Sequence, residues 1–403
     1  MKKNEKFTSR FILTQMAHIK HIMIKQKKFI ATMGLLSVMF ISFSVRKAPV
    51  YSVPRPMTAG FEPVVVPEEV VDDAIAKKIE RYFQRKYDRR VFNGAVLFAE
   101  KGKVIYKGAF GHGDIRGKRD PLTTNSPFQL ASVTKPMTAT AVLMLQDWGY
   151  LSVEDSIQKF IPNFPYKGVT VKHLLTQKSG LPEYLYFSDV HWKDWHKTIT
   201  NDDVLCLMEI HEPNRYYRPN YRYNYVNTNY IVLASIIEKV SGVTYNKFME
   251  KYIFEPLGMD DAFVYQKDAE SLPTTLGHDK RRRKIADSHY NGVVGDKGIY
   301  ASVEDLFRFD QSFYDNALIC PETAESAFAP AHRRLHAHDN YGMGWRINTQ
   351  RNGNKIIHHS GWWKGYTSYF IRMPYSEKTI IVLNNCLRGG FMSTKEFRAL
   401  LDE

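Results

Sequence analysis

The spacing of apolar residues changes character along the chain, and each change marks a new kind of element. Beyond a Pro- and Val-rich stretch without periodicity, Asp72 is placed to cap a helix. Its apolar positions Ile75, Ile79, Phe83 and Tyr87 recur at four-residue steps. Residues 94–100 and 104–110 are two β-prone runs joined by Lys101-Gly102-Lys103, which predicts a β-hairpin. From about residue 128 to 260 the pattern is helical with loops. Residues 139–151 and 230–240 are strongly apolar helices, the second closed by Ser241-Gly242. Strands return at 355–359, 366–373 and 378–384. Strands at both ends around a helical block predict an α+β fold: an antiparallel sheet made from both chain ends, flanked by helices, with an inserted all-helical lobe.

Charge alters this picture only at the N-terminus. The formal net charge is +14, but residues 1–28 carry eight Lys and Arg against Glu5, which is +7 of the total. The densest basic run elsewhere, 280–284, is not interleaved with stacking aromatics, so no nucleic-acid partner is expected. Lys27 and Lys28 precede a 17-residue uncharged run, residues 29–45. A basic preamble before a short apolar run has the form of an export signal, with an uncleaved membrane anchor as the rival. The expected organisation is a signal or anchor over 1–45, a linker over 46–69 and one domain over 70–390. Export to the periplasm or the cell exterior follows, with the membrane touched only through the N-terminal segment. Met16 and Met23 are alternative starts.

Cys206, Cys320 and Cys386 are far apart, allow at most one disulfide and show no metal-site spacing. The histidines, including His289, His332, His336, His338, His358 and His359, fall in no metal-binding helix pattern. No metal and no cofactor are expected.

Candidate chemistry lies in three short patterns. Ser132-Val133-Thr134-Lys135 is a Ser-x-x-Lys; three residues is about one helical turn, so both side chains share a face. Serine needs a neighbouring base, and a lysine desolvated in a cleft can serve as one. Ser156 and Lys159 match the same pattern, but Pro162 cuts their helix short, whereas Ser132 leads into a long apolar helix. Tyr225-Val226-Asn227 precedes another apolar helix; a phenol there can pass protons and an Asn amide can orient a substrate. Tyr314-Asp315-Asn316 repeats this pattern without an element to present it. His359-Ser360-Gly361 ends a strand, where glycine admits a substrate backbone and adjacent N–H groups can donate to it. Lys178-Ser179-Gly180 matches its lysine form but lies at a helix end and precedes the tyrosine motif.

In this order and spacing, 93 residues from Ser132 to Tyr225 and 134 from Tyr225 to His359, the chain resembles the serine β-lactamase and penicillin-binding-protein family. It is nearest the class C and D-Ala-D-Ala carboxypeptidase branch. Residues 92–97, 171–175, 179–182, 255–259 and 298–306 resemble further landmarks of that family. The resemblance implies that Ser132 is acylated, with Lys135 and Tyr225 as its base. Asn227 would bind the substrate amide, and His359 with Ser360 and Gly361 would line the facing strand. The backbone N–H groups of Ser132 and Trp362 would form the oxyanion hole.

Three positions depart from the pattern. Val226 stands where relatives have Ser or Ala. Asn220 stands where glycine is common, and Asn tolerates positive φ. His359 replaces the lysine of class C β-lactamases. A partly charged, pH-sensitive clamp on a substrate carboxylate is expected from it. The expected activity is therefore that of an exported serine hydrolase acting through an acyl-enzyme on amide or ester bonds. D-Ala-D-Ala-type peptides, D-amino-acid peptides, esters and β-lactams are the candidate substrates, with peptidoglycan as the polymeric partner. Peptidase or esterase action is favoured over a dedicated β-lactamase. The alternative is a penicillin or peptidoglycan receptor that acylates without turnover. The aromatic insertion 184–196 is expected either to cover the substrate or to pack as a surface loop.

Overall fold

The computed structural model describes residues 64–66, 74–267, 273–332 and 340–402. Asp72, the apolar segment 29–45 and most of the linker lie outside these. Helix α1 (Ala74–Asp88) is followed by the hairpin β1 (Gly94–Glu100) and β2 (Lys103–Phe110). The helical block contains α2 (Thr134–Asp147), α3 (Tyr184–His191), α4 (Asn201–His211) and α5 (Thr228–Ser241), with α6 (Val303–Gln311) beyond it. The C-terminal strands are β3 (Asn340–Tyr341), β4 (Arg346–Thr349), β5 (Lys355–Trp363), β6 (Tyr366–Met373) and β7 (Lys378–Asn384), and α7 (Thr394–Ala399) follows them.

These seven strands form one antiparallel sheet in the order β2-β1-β7-β6-β5-β4-β3. The first strand pairs with the last, from Gly94 opposite Asn384 to Glu100 opposite Lys378. Both chain ends therefore complete the sheet, as the apolar runs predicted. Alternation sorts each strand between two cores. Ala95, Leu97, Ile357, Phe370, Ile381 and Leu383 face the helical block. Val96, Phe98, Ile356, Ile371, Ile380 and Val382 face the other way, against Ile79 and Phe83 of α1 and Phe397 of α7. Burial on both faces is why residues 380–383 of β7 are an unbroken apolar run rather than an alternating one.

On the inner face Arg372 of β6 is ion-paired with Asp310 of α6 and is 1% exposed. Thr379 donates to the same carboxylate at 2.6 Å. The rings of Phe313, Phe328 and Trp345 lie 4.5, 5.3 and 5.9 Å from the guanidinium. An ion pair this deep holds only because its charges are mutually compensated, and it ties α6 to the sheet.

Within the lobe, α2 is buried all round from Thr134 to Leu145, as a central helix must be. Helix α5 ends at Gly242 with φ +73°, the left-handed cap foreseen there. The segment 184–196 resolves into α3 packed on the lobe, with Tyr184 and Phe187 buried and Tyr186 exposed. The Tyr290 hydroxyl donates to Asp189 and also lies 3.0 Å from Leu185 O, tying α3 down. Cys206, Cys320 and Cys386 are free thiols. No helix among the described residues is long and apolar enough to cross a membrane.

Candidate active site

Ser132 lies in a 3-10 turn, Ala131–Val133, that runs straight into α2. The residue before it, Ala131, has φ +49°, a region that costs a residue with a Cβ and is retained only when the surroundings impose it. The surroundings do so. Leu130 N donates to Ile299 O at 2.9 Å, and Leu130 O accepts from Ser368 Oγ at 2.5 Å. The outcome is a half-buried Ser132 at the foot of a buried helix.

Lys135, one turn on, is fully buried. Its Nζ donates to Ser132 Oγ at 3.0 Å, Asn227 Oδ1 at 2.8 Å and Asp296 O at 3.0 Å. It also lies 5.1 Å from the centre of the Tyr225 ring, which Arg346 of β4 approaches to 5.3 Å. Two of the competing patterns resolve differently. Lys159 turns to Asp155 at 2.7 Å, and Ser156 is exposed and bonds Gln158. Ser179 is buried and donates to Asn229, and Gly180, at φ +73°, serves a turn.

The sheet meets Ser132 at Gly361. A Cβ there would stand 2.2 Å from Leu130 O and 2.9 Å from Ser132 N, so only glycine lets β5 come this close. Gly361 and His359 share this face. Alternation along an unbroken register with β6 sends Ser360 and Trp362 to the opposite face. Trp362 is accordingly 54% exposed. These two residues can serve a substrate at Ser132 only through their main chain.

His359 corrects an expectation. It is 1% exposed, and burial holds its pKa well below the ordinary histidine value, with Arg346 and Lys135 adding like-charge repulsion. Its Nδ1 lies 2.9 Å from Ser360 O, which can only accept, so Nδ1 carries the hydrogen. Nε2 then accepts from the Tyr341 hydroxyl at 3.2 Å. His359 is thus a neutral, internally bonded ring and not a partly charged clamp. The pH-sensitive carboxylate grip expected of it has no structural basis.

A second layer was missed in the sequence. Glu183 Oε2 accepts from Asn227 N at 2.8 Å and from Nδ2 at 3.1 Å, which leaves Nδ2 one hydrogen for a substrate. Burial raises the Glu183 pKa, partly offset by the Asn227 N–H. Behind Lys135 lies a buried trio. Lys297 pairs with Asp296 at 3.2 Å and donates to the Tyr184 hydroxyl, which donates to Asp296 Oδ2 at 3.1 Å. Burial lowers the Lys297 pKa and Asp296 opposes it. A charged Asp-Lys pair between Gly295 and Gly298, ahead of an apolar strand, was the available signal.

The fold and this site are those of a serine hydrolase of the β-lactamase and penicillin-binding-protein type. The chain belongs to the Beta-lactamase family, whose model matches residues 73–402. It is 36% identical over 326 residues to penicillin-binding protein 4* of Bacillus subtilis, spanning 77% of this chain and 71% of that one. Among solved structures, the octameric penicillin-binding protein homologue from Pyrococcus abyssi superposes with a TM-score of 0.70. It is 28% identical, over 81% of this chain and 77% of that one. The D-amino acid amidase from Ochrobactrum anthropi shares the fold at TM-score 0.65 and 19% identity, over 78% of this chain and 92% of that one.

Proposed function

We propose that Ser132 is the acylated nucleophile of an exported hydrolase that cleaves amide or ester bonds. The observation that carries this reading is the buried Lys135 Nζ 3.0 Å from Ser132 Oγ, at the point where Gly361 brings β5 against the Ser132 amide. With the Lys135 amine unprotonated, Ser132 Oγ attacks the substrate carbonyl carbon as its proton passes to Nζ. The carbonyl oxygen becomes an oxyanion held by the N–H groups of Ser132 and Trp362. Collapse breaks the bond to the leaving group, which takes a proton by way of Tyr225, and Ser132 is left as an ester. Water, activated by the same Lys135–Tyr225 pair, attacks that ester and restores Ser132. Asn227 offers its remaining Nδ2 hydrogen to the acyl-side carbonyl. Export rests on the apolar segment 29–45 behind Lys27 and Lys28.

Candidate substrates are D-Ala-D-Ala-type peptides, D-amino-acid peptides, short esters and β-lactams. The relative named for penicillin binding supports the last, and a neutral His359 supports the others over a dedicated β-lactamase. The test is intact-mass measurement during incubation with one member of each class. A transient adduct with product release supports hydrolysis. An adduct that persists without turnover assigns a receptor, and no adduct with any member overturns acylation.

A further inference from the structure

The segment leading from α4 into Tyr225 is basic and aromatic: residues 215–222 are Arg-Tyr-Tyr-Arg-Pro-Asn-Tyr-Arg. Its side chains interleave. Arg222 Cζ lies 4.0 Å from the Tyr217 ring centre and Arg218 Cζ 5.2 Å from that of Tyr221, and the two rings are 6.4 Å apart. Stacking orients a guanidinium while leaving its edge N–H groups for acceptors. Arg215, Arg218 and Arg222 are exposed or partly so, and among the described residues none of them is in an ion pair.

This rim is braced against the site. Tyr216 N and Tyr217 N donate to Gly180 O at 2.8 and 3.3 Å, Asn220 N to Lys178 O at 2.8 Å, and Asn224 N to Gln177 O at 2.9 Å. A Cβ on Gly180 would fall 2.0 Å from Tyr217 O, so the approach depends on that glycine. The Tyr216 hydroxyl accepts from the backbone of Glu183, whose carboxylate holds Asn227. Arg222 precedes Tyr225 by three residues, a reach of at most about 10 Å.

An extended peptide advances about 3.3 Å per residue, so a residue roughly three from the reacting carbonyl, on the acyl side that Asn227 engages in the proposed reaction, would reach the rim. A planar guanidinium fork matches a carboxylate in two hydrogen bonds. We propose that Arg218 and Arg222 bind a carboxylate on the acyl side of a peptide substrate, about three residues from the bond cleaved at Ser132. This rests on the acyl-enzyme reading above.

The test compares kcat/KM on two peptides with the same reacting end, one capped by a succinyl group and one by an acetyl group. The succinyl peptide should be preferred roughly tenfold at low salt, through KM, and the preference should fade at about 0.5 M salt. In an Arg218→Gln, Arg222→Gln double variant the ratio should approach one. An unchanged ratio in that variant overturns the proposal, as does equal use of both caps. A phosphoryl-capped peptide preferred over the succinyl one overturns the carboxylate assignment. Ser132-dependent turnover of an uncharged ester is the separate control. Its absence together with no turnover of either peptide removes the hydrolase reading; turnover without an acidic preference removes this proposal alone.

Discussion

The backbone nitrogen of Ser132 lies 2.9 Å from where a Cβ on Gly361 would stand, so helix foot and strand edge meet with no room for a methyl group. Gly361→Ala must push β5 away from Leu130 and Ser132, or strain both. Activity should fall about 100-fold, the scale of losing one oxyanion donor. The added methyl should cost about 1–3 kcal/mol of stability. Steady-state kinetics beside a thermal melt checks this; near wild-type kcat would disconnect β5 from the chemistry.

Glu183 touches Asn227 twice and does not touch Ser132, which makes it a positioning residue. Glu183→Ala leaves the Asn227 amide without its anchor, a loss of about 1–3 kcal/mol of hydrogen bonding. The expected drop in kcat/KM is about 10- to 100-fold, partly rescued by Glu183→Gln, which keeps one accepting oxygen. Equal activity in all three proteins would show that Asn227 is held by Lys135 alone.

How far the site was legible depended on distance along the chain. Ser132 and Lys135 share one helical turn, so local spacing reveals them. Glu183, Asp296 and Lys297 reach Lys135 and Asn227 only through tertiary packing, which no local pattern encodes. The identity of His359 was visible but its charge state was not, because that state follows from its burial beside Arg346 and Lys135. In the fold, the long strands were plain from their apolar runs. The short β3 and β4 are separated by Gly342 and Gly344, and their few residues carry too little periodicity to be recognised.

Buried neutral histidines set an acid limit on stability. Burial pushes His332 and His358 down to about 4 and holds His359 well below its ordinary value. In the unfolded chain each titrates near 6.5. Below that pH the unfolded state binds more protons, so stability is full above about pH 6.5 and falls on acidification. At pH 5, His332 and His358 each remove roughly 2 kcal/mol. Urea midpoints should therefore drop steeply between pH 7 and 5, and less steeply in His332→Asn. A flat profile would mean that these rings are protonated within the folded protein.

The central claim is that Ser132, and not its look-alike Ser156, carries the acyl group. Peptide mapping after labelling with a fluorescent penicillin or a fluorophosphonate tests it most directly. The mass increment should fall on the fragment containing Ser132, disappear in Ser132→Ala and persist in Ser156→Ala. Labelling that survives Ser132→Ala, or an adduct mapped to any other residue, would contradict the account.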